Sequence, residues 1–273
     1  HGLDAPFSEA EYRDRWARVR REMRTRDLDT LVVWQRGGGS YDRASNVFWL
    51  SNFSSLASGQ ETPYVSGVIG KAYAALIFHG DRDPELHIAE PVDATDLSQL
   101  VVTSIAEHDN LPRGVARRVL ELNGPGRVGY VGDDYLPILF WRHLVDECPQ
   151  LEWEPHDVIM PVIQKVKSPE ELTVYREMGA ITTEAMDALM WGLIEGEPES
   201  VAAGRAAQIV TASGGGFQRI SANHGKSPAI WSHGYYGNRP IAPRQGDLVR
   251  GWVYGPVRHG LWIDPGRTAV CGN

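Results

Sequence analysis

Between Asp247 and Asp264 the chain carries no carboxylate. Aromatics crowd there instead. Trp231, Tyr235, Tyr236, Trp252, Tyr254 and Trp262 put six aromatic side chains between residues 231 and 262. Such a set either packs the faces of a sheet or lines a pocket that stacks on a planar or cationic group. His233 lies among them, in the stretch 230–240. Imidazole titrates near neutral pH, so a pocket histidine suits proton transfer; a strand-end histidine bonded to backbone is the plainer use. His224, after a turn, and His259, within one, are weaker candidates. The nine histidines include no H-x-x-x-H or H-E-x-x-H spacing, so they do not spell a zinc site. Asp264 is either a structural acceptor or a metal ligand that needs partners. Arg267 follows it, and a guanidinium can clamp a substrate carboxylate through two hydrogen bonds.

The elements that must position these groups read as an alternation of strands and helices, an α/β (α+β) layer fold. Ser8 and Glu11 form a capping-box pattern, and Tyr12, Trp16, Val19 and Met23 make one apolar stripe, so 8–26 is expected to be a helix. Strands are expected over 29–34, 73–78, 85–89, 101–105 and 127–131. Helices are expected over 113–122 and 134–148, with Pro137 in the first turn of the latter. Gly37, Gly38 and Gly39 form a loop with no Lys-Ser/Thr after it, hence no phosphate cradle. Ser168 is a strong N-cap, Pro169 suits a first helical position, and Glu170 and Glu171 face the positive helix end. The helix they open can line one face with Leu172, Tyr175, Met178, Ile181, Ala185, Leu189 and Leu193. A second helix is expected near 200–212, with strands dominating thereafter.

Three stretches carry a family resemblance. The junction Lys165-Val166-Lys167-Ser168-Pro169-Glu170-Glu171-Leu172 is similar to a K-S-x-E-E-[LI] signature. The stretch 246–268 is similar to a hairpin of the form G-D-x-V, strand, turn, G-x-x-x-D-x-x-R-T. The run 46–53 resembles N-hydrophobic-x-Y-L-[ST]-G/N-F. Together these resemble the creatinase/prolidase/methionine aminopeptidase family, the pita-bread fold. The resemblance implies a creatinase-like N-terminal domain at 1–160 and a pita-bread catalytic domain at 161–273, with the chain stopping short of that domain's end. Metal-using members hold two ions between two hairpin Asp residues and ligands further on. Here Asp264 matches the second, while Trp252, Val253 and Tyr254 occupy the neighbourhood of the first. No dinuclear centre is therefore expected, although a single ion through Asp264 and residues beyond 273 stays open. His233, thirteen residues before Gly246, falls where the family keeps a pocket histidine. That implies His233 and Asp264 as catalytic residues, with Trp231, Tyr235, Trp252, Tyr254 and Arg267 around a small amidic or peptidic substrate. A hydrolase of a C–N bond is the first reading. A lyase working by proton abstraction and a non-catalytic binding protein are the alternatives, because one fold hosts many functions. The resemblance also implies a homodimer; the loop 36–46 either reaches a neighbouring subunit's pocket, as in creatinase-like dimers, or is a plain surface loop, the plainer use.

Composition narrows the partners. A net charge of −8 argues against nucleic acid and anionic membranes. No apolar run approaches the roughly 20 residues of a membrane span, and no basic-then-apolar leader opens the chain. His1-Gly2 reads as a processed or tag-derived start. Cys148 and Cys271, the only two cysteines, make no disulfide framework and suit a reduced, cytoplasmic protein.

Overall fold

The capping pattern at Ser8 is met, but only by half. In the computed structural model α1 runs over Glu9–Thr25, and Ser8 Oγ accepts from the Glu11 N–H at 3.2 Å. The return bond of a capping box is absent. The Ser8 N–H and Oγ–H instead donate to the Glu170 carboxylate, at 2.8 and 2.6 Å. The structure describes residues 7–36, 45–55, 67–89, 100–216, 219–226 and 237–272. The chain divides into two units, His1–Glu170 and Glu171–Asn273.

In the first unit, six strands among the described residues form one mixed sheet. These are β1 (Thr30–Arg36), β2 (Tyr73–His79), β3 (Glu85–Ile88), β4 (Ser104–Glu107), β5 (Gly126–Val131) and β6 (Leu151–Pro155), in the order β4-β3-β2-β1-β5-β6. β1 pairs antiparallel with β2 and parallel with β5, and is apolar on both faces, as a central strand should be. Helices α2 (Asn46–Ser51), α3 (Leu111–Asn123), α4 (Ile138–Glu147) and α5 (Ile159–Gln164) complete the unit. Val32, Trp34, Ala75 and Ile77 pack against Val115 and Val119 of α3 and Phe140 and Leu144 of α4. Two expectations shift. The strand placed at 101–105 forms at Ser104–Glu107, and Pro137 is the residue before α4 rather than within its first turn.

Two charged networks in this unit were not visible in the sequence. Arg15 is fully buried, with its guanidinium 4.2 Å from the Phe7 ring centre and 4.5 Å from that of Trp49. It donates to Glu11 Oε1 at 2.9 Å and to the Trp49 carbonyl at 2.6 Å, which compensates its lost hydration. Near the sheet edge, His87 Nδ1 meets His108 Nε2 at 2.8 Å. Glu85, beside His87, receives both Nε and Nη2 of Arg118 at 2.8 Å. That fork, with help from His87 and against burial, lowers the Glu85 pKa to about 2.

In the second unit, α6 (Pro169–Ile194) and α7 (Glu199–Ala212) lie on one face of an antiparallel sheet of β7 (Arg219–Gly225), β8 (Leu248–Tyr254) and β9 (Gly266–Val270). Met186, Leu189 and Leu193 of α6 and Ala202, Ala206 and Val210 of α7 meet Ile220, Ala222, Val249 and Val253. The inward stripe of α6 differs from the expected one at its start: Leu172 is 41% exposed, and Val174 is buried instead. Leu189 packs so closely on Gly251 that a side chain there would collide with it. Among the described residues no helix is long and apolar enough to cross a membrane.

Candidate functional site

The outer face of the β7-β8-β9 sheet, away from α6 and α7, holds Trp252, Tyr254 and Asp264 of the expected site residues. Side chains alternate along a strand. On β8, Val249, Gly251 and Val253 turn toward the helices and are buried, while Arg250, Trp252 and Tyr254 are half-buried on the other side. Val253 therefore cannot stand in for an outward carboxylate, whereas Trp252 and Tyr254 occupy that surface. Cross-strand register sets Arg219 opposite Tyr254, Ser221 opposite Trp252, and Asn223 opposite Arg250. On the other flank Gly266 faces Trp252, and Thr268 faces Arg250. The Val253 N–H donates to Pro265 O at 3.2 Å and the Gly255 N–H to Ile263 O at 2.9 Å. These bonds continue the ladder past β9 and set exposed Asp264 opposite Tyr254.

Two arginines stack on this face. The Arg219 guanidinium carbon is 5.0 Å from the Tyr254 ring centre, and that of Arg250 is 4.5 Å from the Trp252 ring centre. Arg250 Nε also donates to Thr268 Oγ1 at 3.2 Å. Arg267 goes elsewhere. Its register partner is inward-facing Gly251, and its guanidinium pairs with Asp187 on α6. The resemblance implied a place for Arg267 beside the substrate; alternation of side chains puts it on the opposite face from Trp252 and Tyr254.

The hairpin beyond β8 is fixed at several points. Thr182 Oγ donates to the Gly255 carbonyl at 3.0 Å. Arg258 Nη2 donates to the Ser213 carbonyl at 2.6 Å. Arg258 and Leu261 exchange backbone bonds around His259 and Gly260, both at positive φ, the pattern of a tight two-residue turn. His259 thus caps the hairpin tip.

His233, Trp231 and Tyr235 lie outside the described residues. The described residues flanking that segment meet on one carboxylate. Glu199, at the start of α7, has no solvent exposure. It accepts the Arg239 backbone N–H at 2.9 Å and Arg239 Nη2 at 2.5 Å. His224 Nδ1 is 2.7 Å from Glu199 Oε1, without the alignment of a hydrogen bond. Burial alone would raise the Glu199 pKa; the Arg239 side chain and backbone outweigh it, and the net shift is downward. His224 therefore lies beside the Glu199–Arg239 ion pair on the helix side, and not on the outer face. Sequence reasoning missed Glu199 and Arg239, which are forty residues apart.

As a donor set, the described outer face does not fit a pair of divalent ions. It offers one carboxylate, Asp264, among an indole that can only donate, a phenol and two guanidinium cations. Among the described residues no three His, Cys, Asp or Glu side chains come together as ligands.

No protein-family model matches the chain, and no curated protein matches it. Solved structures do. The Xaa-Pro dipeptidase from Bacillus anthracis matches with a TM-score of 0.68 at 17% identity, over 96% of this chain and 66% of that one. The prolidase from Thermococcus sibiricus matches with a TM-score of 0.70 at 16% identity, again over 96% and 66%. Dipeptidase PepE from Mycobacterium ulcerans matches with a TM-score of 0.68 at 18% identity, over 97% and 66%. The chain thus spans slightly less than two thirds of the length of these proteins, and it has the fold of Xaa-Pro dipeptidases and prolidases, the fold its sequence resembles.

Proposed function

We propose that the protein is a hydrolase of the prolidase type, cleaving a C–N bond in a small amidic or peptidic substrate without a dinuclear metal centre. The observation that carries this reading is the structural likeness to dipeptidases and prolidases along 96–97% of the chain. His233 transfers the proton. Asp264, exposed opposite Tyr254, assists on the same surface, and Trp231, Tyr235, Trp252 and Tyr254 surround the substrate. Arg267, paired with Asp187, holds the sheet to α6. The active form is a homodimer; a single species of 30.3 kDa in sedimentation at micromolar concentration would count against that.

The test is hydrolysis of a dipeptide and acyl-amide panel, run before and after a chelator. Chelator-resistant turnover is expected. Turnover that disappears with chelation and returns with Mn²⁺ or Zn²⁺ would overturn the metal-independent part.

One observation favours a second reading, a non-catalytic binding protein. Trp252 stands on the outer face where the family resemblance calls for a carboxylate. Saturable binding of panel members with no cleavage of any would select this reading.

A further inference from the structure

His87 and His108 join the end of the six-stranded sheet to the helix behind it through one hydrogen bond. Among the described strands, β4 closes that sheet and pairs with β3 alone, in parallel, over four residues. Its side chains are exposed or half-buried, so little apolar burial holds it, and parallel pairing is slightly weaker per residue than antiparallel. His108 is the next residue after β4, and its N–H donates to the Ile88 carbonyl at 2.9 Å. Its ring lies so close to α3 that a Cβ on Gly114 would come within 2.2 Å of Nδ1. Buried His87, on β3, meets it from the sheet. His87 Nδ1 is 2.8 Å from His108 Nε2, the rings are parallel to within 3°, and their centres are 5.1 Å apart. That combination sets the rings edge to edge in one plane, the geometry of an N–H···N bond and not of a stack.

Such a bond holds one proton. It survives while the pair is neutral or carries a single charge. With both rings cationic, N–H points at N–H and the two charges repel. The surrounding charges are few. From β3, Glu85 Oε2 lies 3.6 Å from His87 Nε2. From α3 come Arg118, forked on Glu85 and paired with Glu121, and Arg117, paired with Glu147 of α4. Glu107 and Asp109, on either side of His108 in the chain, are exposed. Ala75 and Ala106, the register partners of His87, carry no charge.

We propose that His87 and His108 form a one-proton latch that pins β4 to β3 and to α3, and that a second proton releases it, so that this sheet edge opens in acid. Burial first, then His87 and Arg117, hold the His108 pKa below its ordinary value of 6.5. The open form takes the proton more readily than the closed one. The stability that the latch contributes is therefore complete above 6.5 and is lost as pH falls through the lowered folded-state value. Glu85, with its pKa at about 2, stays ionised through that window and is not the trigger. Opening uncovers the backbone edge of β3, a template for another strand. The latch is independent of the reaction performed by the second unit.

The experiment is amide hydrogen exchange on the full chain at about pH 7.5 and about pH 5, either side of the ordinary histidine range, with each rate divided by its intrinsic rate. Protection of the β3–β4 ladder is expected to fall about tenfold on acidification. Each pH unit passed with the closed form neutral and the open form protonated multiplies the open fraction by about ten. The β1–β2 and β5–β6 ladders are expected to keep their protection. His108→Gln can still bond to His87 but takes up no proton, and its β3–β4 protection is expected to be the same at both pH values. Unchanged protection in the parent, an equal loss in His108→Gln, or an equal loss in all three ladders would each overturn the proposal. If the variant does not fold, nitrogen NMR of the imidazole rings in the unaltered chain decides. A scalar coupling between His87 Nδ1 and His108 Nε2 is expected at the higher pH and is expected to vanish at the lower. Coupling at both values, or at neither, would overturn the latch.

Discussion

The indole nitrogen of Trp252 stands where a side chain on Gly266, its register partner, would have to go. The glycine therefore lets the large ring lie over β9, and the two positions form one unit. Gly266→Ala is expected to displace the ring and to destabilise the chain by about 1–3 kcal/mol, the usual cost of overpacking. Combining it with Trp252→Ala should recover most of the loss. Chemical denaturation of both single variants and the double variant gives the coupling, and strictly additive effects would show that the contact does not matter.

The buried Glu199 pairs with half-buried Arg239 and stands beside His224. Glu199→Ala is expected to cost about 1–3 kcal/mol, because Arg239 would lose its partner while a quarter of its side chain can still be hydrated. The pH sign follows from its depressed folded-state pKa. Stability from Glu199 is fully present above the ordinary carboxylate range, near about pH 4, and is lost as pH falls through the lowered folded value. Urea midpoints of parent and variant should converge in acid. A gap as wide at pH 3 as at pH 7 would refute the assignment.

Arg118 and Glu85 give a similar window in the first unit. The Glu85 pKa is lowered from 4.5 to about 2 by the Arg118 fork, with His87 second. Its stabilising effect is therefore present above 4.5 and disappears as pH falls toward 2. Arg118→Met should return the Glu85 carboxyl toward its ordinary titration, read by carbon NMR. An unmoved midpoint would mean that the fork is not what holds the proton off.

His233→Ala should leave the fold intact and lower turnover by about 10²–10⁴-fold, the range for a positioned acid or base. Parental rates in a folded variant would remove His233 from the mechanism.

Much of the architecture was legible because it is local. The stripe Tyr12, Trp16, Val19 and Met23 is buried on α1, and Pro169 opens α6. The buried run of β1 is in its place, one residue or two from where its composition put it. What could not be read depends on partners far away in sequence. Ser8 finds Glu170 instead of completing its box, 162 residues on. Arg15 looks like a solvated helix residue until α2 supplies the Trp49 carbonyl. The same holds for the site. The family resemblance marked Trp252, Tyr254 and Asp264, but only strand register separates the outer face that holds them from the inner face that takes Val253 and Arg267.

Asn238 bonds to β7 through both ends of its amide. Oδ1 accepts the Ala222 N–H at 2.7 Å, and Nδ2 donates to the Ile220 carbonyl at 2.8 Å. A single side chain thus imitates one step of a neighbouring strand. Unpaired N–H and C=O groups along a sheet edge are a template on which another chain can grow. Asn238 therefore works as a cap against self-association at this step of β7. Asn238→Ala would leave the outer face untouched while offering two backbone groups to any passing strand, so the expected damage is slow aggregation on storage and not loss of ligand binding.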